Sequence, residues 1–148
     1  MNLENTKKLM GHFPQIFCDR DKSVQESLIP FGLECGDGWF DLIYKMCEDI
    51  MKCNPHEEFK ATQVKEKFGT LRFYVTSASD KIWDIIEKAE DDSANICETC
   101  GTRKEVTTEN WGWVITACRV CRVNREEYLV MRNSGTKARP TLTLLNKK

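Results

Sequence analysis

The sequence predicts an α+β fold, a small antiparallel sheet with two or three helices followed by a four-cysteine ribbon, and three observations carry that expectation. Two stretches repeat apolar residues at helical spacing, a stretch between them alternates with a period of two around a glycine, and two CxxC pairs follow. Helices segregated onto a small antiparallel sheet are one of the few layer arrangements that bury a single core. With 148 residues, 41% of them hydrophobic, the chain can supply that core, because a domain of this length hides roughly 68–70% of its unfolded surface.

Residues 3 to 10 can form a short helix, after which Pro14, Pro30, Gly32, Gly36 and Gly38 mark an irregular stretch. Asp37 is the expected N-cap of a helix reaching about Lys52. In it Trp39, Ile43, Met46 and Ile50 recur on one face, widened by Phe40, Cys47 and Met51. Asn54-Pro55 ends it. Val64, Glu66 and Phe68 then alternate, and after Gly69-Thr70 so do Leu71, Phe73 and Val75. That change of phase predicts a hairpin with Leu71, Phe73 and Val75 buried. Ser79 is the expected cap of a further helix with Ile82, Ile85, Ile86 and Ala89 inward and Asp80, Asp84, Glu87, Lys88 and Asp91 outward.

Cys97-Glu-Thr-Cys100 and Cys118-Arg-Val-Cys121 are 17 residues apart, the spacing of a four-cysteine zinc ribbon. Two residues between cysteines let one tight turn aim both sulfurs at one ion. The longer segment must run out as one strand, expected over Glu105 to Thr108, and return as another, over Trp111 to Thr116, with Glu109-Asn110 as the turn. Gly101 relieves crowding behind the first pair. Four thiolates around a dication carry a local charge of −2, which Arg103, Lys104, Arg119 and Arg122 are close enough in sequence to offset. One structural zinc ion is the expected cofactor, since four protein thiolates close the coordination sphere. Stripping the ion is expected to unfold at least residues 97 to 125. Cys18, Cys35, Cys47, Cys53 and His56 read as packing residues, with a second metal site as the sharper alternative.

Three segments follow from this reading: residues 1–96 as the α+β domain, 97–125 as the ribbon packed on it, and 126–148 as a basic helix and flexible tail. Helix 122–132 is expected to end at Asn133-Ser-Gly135, with Thr141 to Leu145 as tail or edge strand. The formal charge of −1 conceals their contrast. Residues 1–96 hold 12 Lys/Arg and 18 Asp/Glu, a balance of −6, and residues 97–148 hold 10 and 5, a balance of +5. A polycation or an acidic tail protein is excluded. No apolar run approaches the roughly 18 residues of a membrane span, and the start lacks a signal-peptide core, so the expectation is a cytoplasmic protein with no membrane partner. In that compartment eight cysteines are more readily metal ligands or buried thiols than disulfides.

Three surfaces are candidates for function. Arg119, Arg122 and Arg125, followed by Arg132 and four more basic residues, stand near Trp111 and Trp113 in sequence. Basic side chains with aromatics suit phosphate attraction and base stacking, while two tryptophans two apart on a strand equally suit packing over a ribbon with little core. Lys65, Lys67, Arg72 and Tyr74 converge on the hairpin's polar face and could grip an anion, or form the wet face of a sheet. Glu34, Asp37 and Asp41 could hold Mg²⁺ for phosphate chemistry, although Asp37 and Asp41 are also explained by the start of a helix. No phosphate loop or nucleophile elbow is present.

Phe17-Cys-Asp-Arg-Asp-Lys22, Gly32-Leu-Glu-Cys-Gly-Asp-Gly-Trp-Phe-Asp-Leu-Ile43, Gln63-Val-Lys-Glu-Lys-Phe-Gly-Thr-Leu-Arg-Phe-Tyr74 and the Cys97/Cys100 pair followed by Trp113 and Cys118 resemble an uncharacterised family of small zinc-binding proteins encoded by tailed phages and prophages. The resemblance spans roughly residues 13 to 121 and leaves out the basic extension from Arg122 onward. It implies a zinc-bearing α+β chain in a phage setting and transfers no active site. The expected function is therefore binding rather than catalysis: a protein that docks on a host protein complex, such as a defence system, and modulates it. A nucleic-acid-binding zinc-ribbon module is one alternative, and a Mg²⁺-dependent phosphohydrolase or nuclease is another. The sequence leaves the oligomeric state open.

Overall fold

The computed structural model describes residues 1–110, 113–123 and 125. Helix α1, Leu3–His12, starts at Asn2, whose side chain accepts the Asn5 N–H at 2.8 Å, and buries Thr6, Leu9 and Met10. Short 3₁₀ turns at Cys18–Asp21, Ile29–Phe31 and Asp37–Trp39 carry the irregular stretch. Helix α2, Phe40–Lys52, buries Ile43, Met46, Cys47 and Ile50, the predicted face. It stops where Asn54 takes φ 48° ahead of Pro55, which has no N–H to extend the ladder.

Asp37 does not cap α2. That helix has no side-chain cap, and the Asp37 carboxylate instead accepts the Asn2 N–H at 2.9 Å and the Asn5 amide at 3.0 Å. Chain proximity suggested a local role, but α1 presents free donors to the same oxygen. Partial burial works to raise the Asp37 carboxyl, yet these donors hold it below its ordinary value.

Strands β1, Ala61–Lys67, and β2, Thr70–Val75, pair antiparallel with Val64 opposite Phe73 and Glu66 opposite Leu71. The turn is Phe68-Gly69, both at positive φ (54° and 79°), as a two-residue hairpin that matches strand twist requires. The turn expected at Gly69-Thr70 thus comes one residue early, and Phe68 is exposed. Leu71 and Phe73 are buried as predicted, and Val75 is half-buried. Both edges of the pair are covered. Glu34 bridges β1 through its N–H to Val64 O and its carbonyl to the Glu66 N–H, each 2.9 Å. On the other side Ser93 Oγ and Glu90 Oε1 accept the Leu71 and Phe73 N–H groups at 2.9 and 2.8 Å.

Those two acceptors belong to helix α3, Asp80–Ser93, which buries Ile82, Ile86, Ala89 and Ser93. Ser79 occupies its N-cap position, but the Ser79 carbonyl, not the hydroxyl, receives the Ile82 and Trp83 N–H groups. The three helices and the sheet close on one core centred on Trp39, Phe17, Phe59 and Phe73. Strands β3, Val106–Asn110, and β4, Val114–Cys118, form a second antiparallel pair with Val106 opposite Cys118 and Asn110 opposite Val114. Glu109 and Asn110 are therefore strand residues, not the predicted turn. Register is set at the other end, where β4 must deliver Cys118 beside the first knuckle. The architecture is α+β with small antiparallel sheets and a ribbon-like four-cysteine module. Among the described residues no helix is long and apolar enough to cross a membrane. Trp111, the helix expected over 122–132 beyond its first residues, and the 126–148 extension lie outside the described residues.

Candidate metal centre

Each cysteine pair sits on a tight turn. In the first, the Gly101 N–H bonds the Cys97 carbonyl at 2.8 Å and the Cys97 N–H bonds the Thr102 carbonyl at 2.8 Å. Gly101 completes the turn at φ 79°, a conformation that burdens any residue with a Cβ. The second pair spans the end of β4 and the helical residues from 119, with the Cys121 N–H directed at Cys118 Sγ at 3.5 Å.

The four sulfurs lie within 4.8 Å of one another, and Cys100 and Cys118 Sγ are 3.8 Å apart. Sulfurs about 2.3 Å from a tetrahedral ion stand about 3.8 Å from each other, while a disulfide needs about 2.05 Å. All four are free thiols. The donors therefore fit a metal ion. Electrostatics agree with the geometry. Burial works to raise the Cys97 thiol, but backbone N–H groups of Cys118, Cys100 and Thr99 outweigh it and bring it down to about 7. Cys121 is pushed up by burial and by its sulfur neighbours, Cys100 among them. Four thiolates cannot share this volume unless a cation neutralises them.

The first knuckle is docked on the body by contacts the sequence did not disclose. Gly38 donates its N–H to the Glu98 carbonyl at 2.8 Å, Gly36 donates to Glu98 Oε1 at 2.9 Å, and buried Trp39 donates its indole N–H to the Ile96 carbonyl at 3.0 Å. A Cβ on Gly38 would fall inside contact distance of the Cys97 carbonyl and Gly101 N, and one on Gly36 would strike the Glu98 carbonyl. The Gly-Asp-Gly spacing was the readable signal, and it resembled a loop. On the opposite side the tip of the β1–β2 hairpin meets the ribbon: Thr116 Oγ1 donates to the Gly69 carbonyl at 2.5 Å, and Trp113 donates its indole N–H to Glu66 Oε2 at 3.2 Å.

The predicted surface residues divide. Lys65 stands 5.5 Å over the Tyr74 ring and Lys67 5.6 Å over the Phe68 ring. Arg72 is occupied, donating to the Leu71 carbonyl at 2.7 Å and lying 3.6 Å from Glu90. Trp113 is not on a strand packing over the ribbon; it stands in the connection before β4 and is exposed. Lys65, Lys67 and Trp113 share one groove with Phe68. Arg119 and Arg125 are exposed, whereas Arg122 pairs with Glu109 and donates to the Ala117 carbonyl at 2.9 Å.

The acidic set is not assembled. Glu34 accepts from Gln63, Asp37 faces α1 and Asp41 is exposed. Among the described residues the four cysteines are the single group of three or more potential ligands. Cys18, Cys35, Cys47, Cys53 and His56 are therefore not gathered into a second site. Burial pushes Cys35 up to about 12 and raises Cys47 as well, as expected of packing thiols.

Fold and site together define an α+β chain bearing a ribbon-like four-cysteine module able to hold a metal ion. Set beside known protein families, curated proteins and solved structures, the chain matches none.

Proposed function

We propose that this chain is a non-enzymatic, zinc-binding docking protein of phage origin that binds a host protein complex, such as a host defence system, in the cytoplasm and modulates or inhibits it. The observation that carries the reading is the surface built where the two hairpins meet. Phe68 and Trp113 are 71% and 65% exposed, side by side with Lys65 and Lys67. Large exposed aromatics clustered with cations mark recognition surfaces. Four soft thiolates at tetrahedral spacing suit zinc, and a sphere closed by protein ligands leaves no position for a substrate. The ion then supports a surface and not a reaction. The phage setting rests on the resemblance of the motifs around Cys18, Trp39, Gly69 and Cys97.

Elemental analysis of purified protein should return one zinc per chain, and none after serine replaces all four ligands. The tagged, zinc-loaded chain should capture a defined host complex, and its expression should change phage restriction. Capture of no host protein together with unchanged restriction removes the reading. A nucleic-acid module using Arg119 and Arg125, both exposed, is the second reading. It demands affinity that falls steeply with salt, and an absent gel shift at low salt eliminates it.

A further inference from the structure

We propose that the groove between the first hairpin's tip and the ribbon's head receives an acidic segment of a partner protein carrying one aromatic or branched aliphatic anchor. The inference rests on the docking function above and specifies its ligand. The groove holds about 450 Å³ and is lined by Lys65, Glu66, Lys67, Phe68, Trp113 and Val114, within the size range of specific ligand sites.

The anchor follows from Phe68. It occupies the first position of the tight turn at φ 54°, where Asn or Asp would serve at lower conformational cost. Its side chain gains no burial in exchange, being 71% exposed. A bulky ring held outward in a strained backbone conformation is a residue placed for contact with something else. Trp113 faces the same groove from the ribbon, its indole fixed by Glu66 Oε2.

The acidic character follows from the lysines. Among the described residues neither Lys65 nor Lys67 has a carboxylate within ion-pair distance; their ammonium groups rest over aromatic rings. Glu66 is committed to positioning: Oε1 accepts the Gly69 N–H at 2.6 Å and Oε2 accepts the Trp113 indole. Two of the available ring faces, on Phe68 and Tyr74, already carry ammonium groups where bases would stack. A carboxylate-flanked hydrophobic side chain satisfies both lysines and both exposed rings, whereas stacked bases would compete with the ammonium groups for those ring faces.

The test is fluorescence anisotropy on the zinc-loaded full chain. The probe is a labelled peptide with one tryptophan flanked on both sides by aspartate and glutamate. Controls replace its tryptophan by glycine or its acids by lysine, and a single-stranded oligothymidine is the nucleic-acid arm. Saturable binding is expected for the acidic tryptophan peptide alone. Phe68→Asn, which suits the turn and should fold at least as well, is expected to weaken it about tenfold, as is Trp113→Ala. Lys65→Glu with Lys67→Glu should abolish it. Absent binding, equal binding by Phe68→Asn and Trp113→Ala, or an oligothymidine that binds as tightly as the peptide overturns the proposal. If wild type and Phe68→Asn/Trp113→Ala capture the host complex equally, docking stands and the groove falls. If neither captures it, docking itself falls.

Discussion

The body and the ribbon solve the folding problem differently. Between Leu9 and Ile96 the body buries twenty-two residues in one cluster with Trp39, Phe17 and Phe73 at its centre, whereas the ribbon's buried cluster consists of Cys97, Ala117 and Cys118. A buried aliphatic or aromatic side chain contributes about 1.5–3 kcal/mol, so the body can be held by burial alone. The ribbon cannot, because two of the three residues in that apolar cluster are the thiols themselves. Its order is left to an ion held by the four cysteines, as proposed above, and to the body surface on which the knuckle is docked. The sharpest way to break this contrast is to remove the ion. Structural zinc contributes on the order of 10 kcal/mol. A strong chelator should therefore abolish amide-exchange protection from Cys97 to Cys121 while leaving α2 and the β1–β2 hairpin protected. Unchanged protection across the ribbon would show that the thiols pack without a metal.

The second way acts on the joint. Gly38→Ala puts a methyl against the Cys97 carbonyl and Gly101 N, all backbone atoms that cannot swing aside. Overpacking of this kind costs about 3 kcal/mol, and the loss should appear in the denaturation midpoint with zinc bound. Gly11→Ala, where nothing lies within 4 Å of the new carbon, is the matched control and should be neutral or better. A smaller effect is expected from Trp39→Phe, which keeps the ring in the core but removes the donor to the Ile96 carbonyl. An unsatisfied buried acceptor costs about 1–3 kcal/mol. Equal stability would mean that water replaces the indole.

What could be read in advance follows the same division. The buried faces of α2 and α3, the hairpin and the four ligands were legible because period and spacing are local properties of the chain. Asp37 was misread because its partners, Asn2 and Asn5, are 35 and 32 residues away. Gly36 and Gly38 looked like loop glycines, and nothing near them in sequence announces that Cys97 and Glu98 approach their α-carbons. The turn expected at Gly69-Thr70 falls at Phe68-Gly69, because the alternation runs through Phe68, which is in fact the first residue of the turn. Each miss lies where the body meets another element, and contacts of that kind have no period.

The smallest effect separates the two regions by pH. Asp19 is buried in the body between Lys60, 2.9 Å from Oδ2, and Lys22, 3.1 Å from Oδ1. Burial works to raise its carboxyl, but the two ammonium groups outweigh burial and hold it below its ordinary value. A carboxyl depressed on folding stabilises fully above its unfolded pKa, about 3.9, and that contribution is lost as pH falls through the lower folded value. The proposed zinc site depends instead on thiolates, which acid protonates, releasing the ion. Acid should therefore act in two steps, with ribbon signals disappearing before the body weakens below about pH 4. Asp19→Asn should lower stability at neutral pH by about 1–2 kcal/mol and flatten the lower step while leaving zinc release where it was. A variant whose zinc-release midpoint moved with the lower step would mean that one cooperative unit, not two differently built regions, responds to acid.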